Sequence, residues 1–475
     1  MSKKTISILM ALVILTSLIS ACAPADSNVD TVEVVVTQEV IKEVVVTPAP
    51  IEKGLVEFGG FYPADSPWGK QYRLLGYRLE QENPECSFMY SEYPGVEGGN
   101  AMTLRAKEGD PVSIAESTGI NNTGTADAIK KQWEEGLIFD LSEAMQTPAY
   151  GQSEGKWFDT FNAAAQAYMV TEGGKIGAMP IQQTQIVLWY NKAMYDQYGL
   201  EVPKTWDTFL GNCEVLKENG IACIGGGGFN GYIGYWYDML LYRLLGKEKM
   251  VALYTHSDPS VTWDDPMVIK AAEMLVDLID KGYTADGFVG GDFTANQVAF
   301  FTGKSAHLFV GTWLIGEMKD SIPQGFQTAV TYFPSVEGFE DLTPYESSFG
   351  FINPIGIYNP GKNEKEPHSI DCAVKYAKLL TSTEIQKEMS SGSNLDYVTT
   401  IVGGQGNSSI PGIGELLGNM KDWIPFMAGA SSIAPETSSK YWDNVANLAA
   451  GGITPEEFSA KMVADWEDIF SRLNQ

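Results

Sequence analysis

The chain has 475 residues, with 32 Lys and Arg against 60 Asp and Glu, a formal net charge of −28. That balance excludes a surface that tracks nucleic-acid phosphates and a basic patch for anionic lipid, since both must be positively charged. An apolar content of 44% is enough to build packed cores for two domains or one large one, and three His argue against a His-rich metal site.

Lys3 and Lys4 precede an apolar run, Ile6 to Ile19, which is too short to span a membrane comfortably. It ends at Ile19-Ser20-Ala21-Cys22, which resembles the lipobox of bacterial lipoproteins. That resemblance implies cleavage after residue 21 and a lipid on Cys22. An ordinary secretory signal is the competing reading. Residues 22–54 carry the repeat Glu33-Val-Val-Val-Thr37 and Glu43-Val-Val-Val-Thr47, then Pro48 and Pro50. No aromatic residue is present to build a core, so a tether is expected, stiffened by proline. A Val-rich strand pairing between copies is the alternative.

From about Leu55 short apolar strands alternate with amphipathic helices, which predicts α/β architecture. Strands are expected at Val56–Phe58, Cys86–Tyr90, Pro111–Ala115, Gly136–Leu141, Gly174–Pro180, Ile186–Tyr190, Ile221–Ile224 and Ala306–Val310, with one extended segment over Ser347–Ile357. Helices are expected over Gln71–Gln81, 125–135, 206–218 with Thr205 as N-cap, Tyr235–Leu245, Pro266–Lys281 and Ile370–Leu380. Thr454-Pro455-Glu456-Glu457 reads as a capping box opening a last helix. With Cys22 lipidated, Cys86, Cys213, Cys223 and Cys372 remain. They allow three pairings, of which Cys213 to Cys223 is the most local, or they stay as buried thiols.

Gly174-Lys-Ile-Gly-Ala-Met-Pro180, Trp189-Tyr-Asn-Lys192 and Pro203-Lys-Thr-Trp206, followed by Phe301-Thr-Gly-Lys-Ser-Ala306, Gly311-Thr-Trp313 and Leu380-Thr-Ser382, occur in an order that resembles the extracellular solute-binding proteins of ABC importers. The similarity is to the carbohydrate-binding group. It implies a two-lobed, type II periplasmic-binding-protein-like fold, each lobe a mixed sheet flanked by helices, joined by a three-crossing hinge. The first lobe is expected over 55–181 plus 352–428 and the second over 182–351 plus 429–475. Crossings are expected at Pro180–Gln185, Ser348–Asn353 and Gly429–Pro435. The implied molecule is an exported monomer held by its lipid on the outer face of the cytoplasmic membrane. It binds reversibly, without cofactor or metal, and delivers a sugar or oligosaccharide to a membrane permease.

A sugar presents C–H faces and hydroxyl edges, so its site needs aromatic planes and polar side chains. The resemblance points to Trp313 and Trp442 for stacking, with Tyr441 beside the latter and Trp236 as a further candidate. Core packing is the competing place for each Trp. Glu116 and Ser117 follow a strand's carboxyl end, where open α/β sheets bind ligands. Gln182, Gln183 and Gln185 lie in the first expected crossing, and Tyr62, Asp65 and Trp68 in the first loop. Two rival functions stay open. One is the same fold around a polyamine, metal chelate or phosphorylated solute. The other is a secreted glycosidase using two carboxylates. Gly226-x-Gly228-x-x-Gly231 fits the dinucleotide fingerprint, but no acidic residue closes a second strand about twenty residues on.

Overall fold

The computed structural model describes residues 53–116, 132–170, 173–226, 233–291, 293–360, 368–392, 395, 397–425 and 435–473. Cys22 and the Val-rich tether, Ser117, most of the 125–135 helix, Gly228, Gly231 and nearly all of the third expected crossing lie outside the described residues.

Among the described residues nine strands form one sheet: β1 (Gly54–Gly60), β2 (Cys86–Glu92), β3 (Ile114–Glu116), β4 (Met179–Asn191), β5 (Ala222–Ile224), β6 (Ser305–Gly311), β7 (Thr328–Thr331), β8 (Ser347–Ile357) and β9 (Asp422–Pro425). The order is β2-β1-β3-β8-β4-β6-β5, with β7 on β4 and β9 on β8. β4 and β8 are long enough to serve two bodies. Their lower halves, Met179 and Ile181 with Ile355 and Ile357, pack in a core with Val56, Phe58, Tyr72 and Tyr376. Their upper halves, Ile186 to Trp189 with Phe349, pack in a second core with Phe209, Trp236, Leu275 and Phe309. β4 and β8 therefore pass from one core to the other at 181–186 and at 349–355.

A third passage differs from expectation. Tyr397 and Ile401 belong to the first core, whereas Ile410, Ile413 and Leu416 belong to the second. Residues 352–428 are thus not all in the first lobe. β9 agrees, pairing with the second-lobe end of β8 at Ser347–Gly350. The expected strand at Gly136–Leu141 reduces to a single bridge, Ile138 to Tyr358. The two strands expected around Gln182–Gln185 are one continuous strand.

Register fixes the direction of each lobe. β1, β2 and β3 are parallel, and β3 runs antiparallel to β8, with Glu116 level with Ile355. β6 runs down β4 from Tyr190 to Ile186, ending with Gly311 level with Ile186, and β5 is parallel to β6. The carboxyl ends of the parallel strands in the two lobes therefore point toward each other. From Met179 to Ile186 the intervening strand spans roughly 20 Å at β-strand rise. This gap is where the open-sheet rule places a ligand, from both sides at once.

The cysteines form two disulfides, Cys86–Cys372 and Cys213–Cys223. The first ties the edge strand β2 to helix Ile370–Leu380, and the second closes helix Trp206–Glu218 onto β5.

Candidate functional site

In the first lobe the site begins where β1 ends. Ser66 caps helix Pro67–Glu82 by accepting from the Gly69 N–H, so the preceding turn is short and fixed. It carries Tyr62 back over Trp68, whose ring stacks on it with centroids 5.4 Å apart and planes 10° apart. Trp68 in turn packs on Tyr397 at 4.9 Å. Asp65 stands exposed on the outside of the same turn.

Beneath this stack lies Glu116, only 4% exposed at the end of β3. Its two carboxylate oxygens accept from the Tyr72 hydroxyl at 2.6 Å and the Phe61 N–H at 2.8 Å. Burial pushes this carboxyl up to about 7, against the pull of those two hydrogen bonds. Both oxygens are thus engaged by the protein, and Glu116 supports the aromatic turn from below. The Tyr62 phenol is held well above its ordinary range by burial first, then by Glu116 and by Glu317 of the opposite lobe. Tyr62 therefore lies within electrostatic reach of both lobes. A second close approach is made by Leu395, whose carbonyl oxygen would be 2.6 Å from a Cβ on Gly316.

In the second lobe β6 ends at Gly311, and Trp313 opens helix Leu314–Met318. The half-buried Trp313 ring folds back onto Gly311. One helical turn on, Glu317 accepts from Gln297 Nε2 at 2.9 Å and is also hydrogen-bonded by Trp313. Trp442, half-buried in helix Pro435–Ala449, lays its ring on Gly234 at the start of helix Ile233–Leu245.

The strand between the lobes contributes amides. Gln183 and Gln185 share one face of β4 by the two-residue period, and both are buried. Gln185 is fully enclosed, its backbone paired with Thr312. Among the described residues neither end of its side-chain amide has a hydrogen-bond partner, and the same holds for Asn296 Nδ2. A buried amide left unpaired costs about 1–3 kcal/mol per group. Gln182, on the other face, is already engaged, accepting from Asn353 Nδ2 at 2.8 Å.

Two candidate residues belong instead to the core. Trp236 is fully buried among Phe209, Phe309 and Phe333, with centroids 5.4–5.7 Å away. Its helix, Ile233–Leu245, is buried on every side, so no face is left for solvent or ligand. Tyr441 is also fully buried, donating to Asp238 Oδ1 at 2.5 Å and to the Gly234 carbonyl at 3.2 Å. It anchors the helix that carries Trp442. The structure adds Tyr397, Glu317, Gln297 and Asn296. Glu317 follows Trp313 by four residues, a helical spacing visible in the sequence. Tyr397 comes from a distant segment and has no local signal.

Among the described residues no group of three or more His, Cys, Asp or Glu is arranged to hold a metal ion. No described helix is long and apolar enough to cross a membrane.

Two α/β lobes joined by strands that cross between them, with the site at the facing strand ends, define a solute-binding-protein architecture. The chain belongs to the bacterial extracellular solute-binding proteins, whose family profile matches residues 64–387. A probable sugar-binding periplasmic protein of Rhizobium meliloti is 24% identical over 270 residues, 55% of this chain and 60% of that one. An uncharacterized ABC transporter extracellular-binding protein of Pyrococcus horikoshii is 30% identical over 156 residues, 32% of this chain and 36% of that one. The chain thus spans between about a third and three fifths of the length of these curated relatives. Among solved structures, a chitin oligosaccharide binding protein superposes with a TM-score of 0.72 at 22% identity, covering 88% of this chain and 99% of that one. The solute-binding protein RafE in complex with raffinose superposes at 0.67 with 17% identity, covering 87% and 99%.

Proposed function

We propose that this protein captures a sugar or oligosaccharide between its lobes and delivers it to the membrane permease of an ABC importer, without chemistry of its own. The observation that carries the reading is the pairing of chemistries across the gap. Half-buried aromatic residues occur in both lobes, Tyr62 with Trp68 in one and Trp313 and Trp442 in the other, and the strand joining the lobes carries Gln185, whose amide has no partner among the described residues. Flat apolar faces with a few fixed amides suit a pyranose, whose ring C–H groups stack while its hydroxyls need donors and acceptors. Relatives named as sugar-binding, and the raffinose and chitin-oligosaccharide binders of the same fold, support this class.

Other relatives are named for sn-glycerol-3-phosphate, one being 28% identical over 173 residues. A phosphate wants Arg or Lys, and none of the named site residues is basic. A polyamine wants carboxylates facing it, and Glu116, the buried one at the strand end, has both oxygens engaged by Tyr72 and Phe61. The lipobox-like Cys22 supports anchoring to the outer face of the membrane. The test is calorimetric titration against a panel of neutral mono- and oligosaccharides. Micromolar or tighter binding is expected for at least one, reduced in Trp313→Ala and Trp442→Ala with folding intact. A panel without a binder would overturn the reading.

A further inference from the structure

Two tryptophans from unrelated parts of the chain meet a glycine in the same way. A Cβ on Gly234 would lie 2.2 Å from Cζ3, 2.8 Å from Cη2 and 3.1 Å from Cε3 of Trp442. A Cβ on Gly311 would lie 1.7, 2.0 and 2.4 Å from Cζ3, Cε3 and Cη2 of Trp313. The same three atoms, the outer edge of the six-membered ring, rest on a bare Cα in both cases. No side chain larger than hydrogen leaves either indole where it is.

Local structure does not ask for these glycines. Neither has the positive φ that favours the residue. Gly234 is the second residue of helix Ile233–Leu245, a position that other residues occupy without strain. Gly311 is the last residue of strand β6, where it likewise offers nothing to pack. Each ring is also pinned from a second direction. The Trp442 ring meets that of Tyr441 edge-on with centroids 5.1 Å apart, and Tyr441 hydrogen-bonds to Asp238 and to the Gly234 carbonyl itself. Trp313 hydrogen-bonds Glu317, which Gln297 holds in turn.

We infer that Gly234 and Gly311 are specificity-determining positioning residues: each is a seat that sets the depth and tilt of one sugar-stacking indole. This rests on the carbohydrate reading above. A methyl group at either seat drives the ring outward by more than an ångström to reach ordinary contact distance. The stacking plane then no longer matches a ligand held by the interlobe amides, at a loss of about tenfold in affinity per seat.

The test is a pair of double-mutant cycles on the purified full chain, Gly234→Ala with Trp442→Ala and Gly311→Ala with Trp313→Ala. Affinity is read for the tightest-binding sugar of the neutral panel, alongside thermal midpoint and far-ultraviolet circular dichroism. Each alanine at a glycine is expected to weaken binding with the fold retained. The glycine substitution should cost nothing further once its tryptophan is gone, because it acts only through the ring. Additive losses, or unchanged affinity in both single glycine variants, would overturn the inference and leave the carbohydrate reading standing. If one glycine variant fails to fold, the other cycle decides. If no sugar of the panel binds the wild-type protein, the carbohydrate reading fails and this inference with it.

Discussion

At the scale of single residues, Glu116 carries a pH signature. Its carboxyl is raised by burial to about 7 in the folded protein, whereas an exposed Glu ionises near about 4.3. Between those values the folded state holds a proton that the unfolded state has lost. Stability attributable to this group is therefore highest below about pH 4.5, falls as pH rises to about 7, and then levels. Glu116→Gln keeps an acceptor for the Phe61 N–H and turns the Tyr72 hydroxyl from donor to acceptor, while removing the titration. The variant is expected to gain on the wild type across that window, by roughly 4 kcal/mol at pH 8. Denaturant unfolding from pH 4 to 8 checks this, and parallel profiles for the two proteins would assign the proton elsewhere. Which tryptophans would serve a ligand was only partly legible. Trp313 follows a strand and Gly311, whereas Trp236 follows a glycine-rich segment. Trp236 sits in a helix whose every residue is buried, a lack of any polar face that is visible in its sequence. The unpartnered state of Gln185 depends on neighbours brought by other strands, and no local pattern announces it.

At the scale of elements, local rules carried far. Ser347–Ile357 and Ile370–Leu380 occur with the bounds their patterns predict. Thr205 accepts from the Thr208 N–H. Thr454 and Glu457 form the reciprocal capping box. Failures arose where tertiary pairing overrode pattern. The polar run Gln182–Gln185 interrupts apolar alternation, yet β8 pairs along it and keeps the strand continuous. Ile410, Ile413 and Leu416 look the same whichever core they enter. Disulfide pairing is likewise a tertiary fact. Cys86–Cys372 spans 286 residues and Cys213–Cys223 only 10. Loop-closure entropy makes the longer bridge the more stabilising, within the usual range of about 2–4 kcal/mol. Cys86→Ser with Cys372→Ser is therefore expected to lower the denaturant midpoint more than Cys213→Ser with Cys223→Ser. Equal losses would show that the unfolded chain is not what the bridges restrain.

At the scale of the whole molecule, the two cores share β4 and β8. On the proposed reading, the facing strand ends let the two bodies close on a solute by bending around residues 181–186 and 349–355. Such closure would bring the aromatic planes of both lobes to one ligand. The most direct test is small-angle X-ray scattering of the purified protein with and without the sugar that binds it most tightly. The account predicts a smaller radius of gyration on saturation, lost at the same sugar concentration in the Trp313→Ala, Trp442→Ala double variant. A radius unchanged by every sugar that binds, or a decrease that survives removal of both indoles, would contradict it.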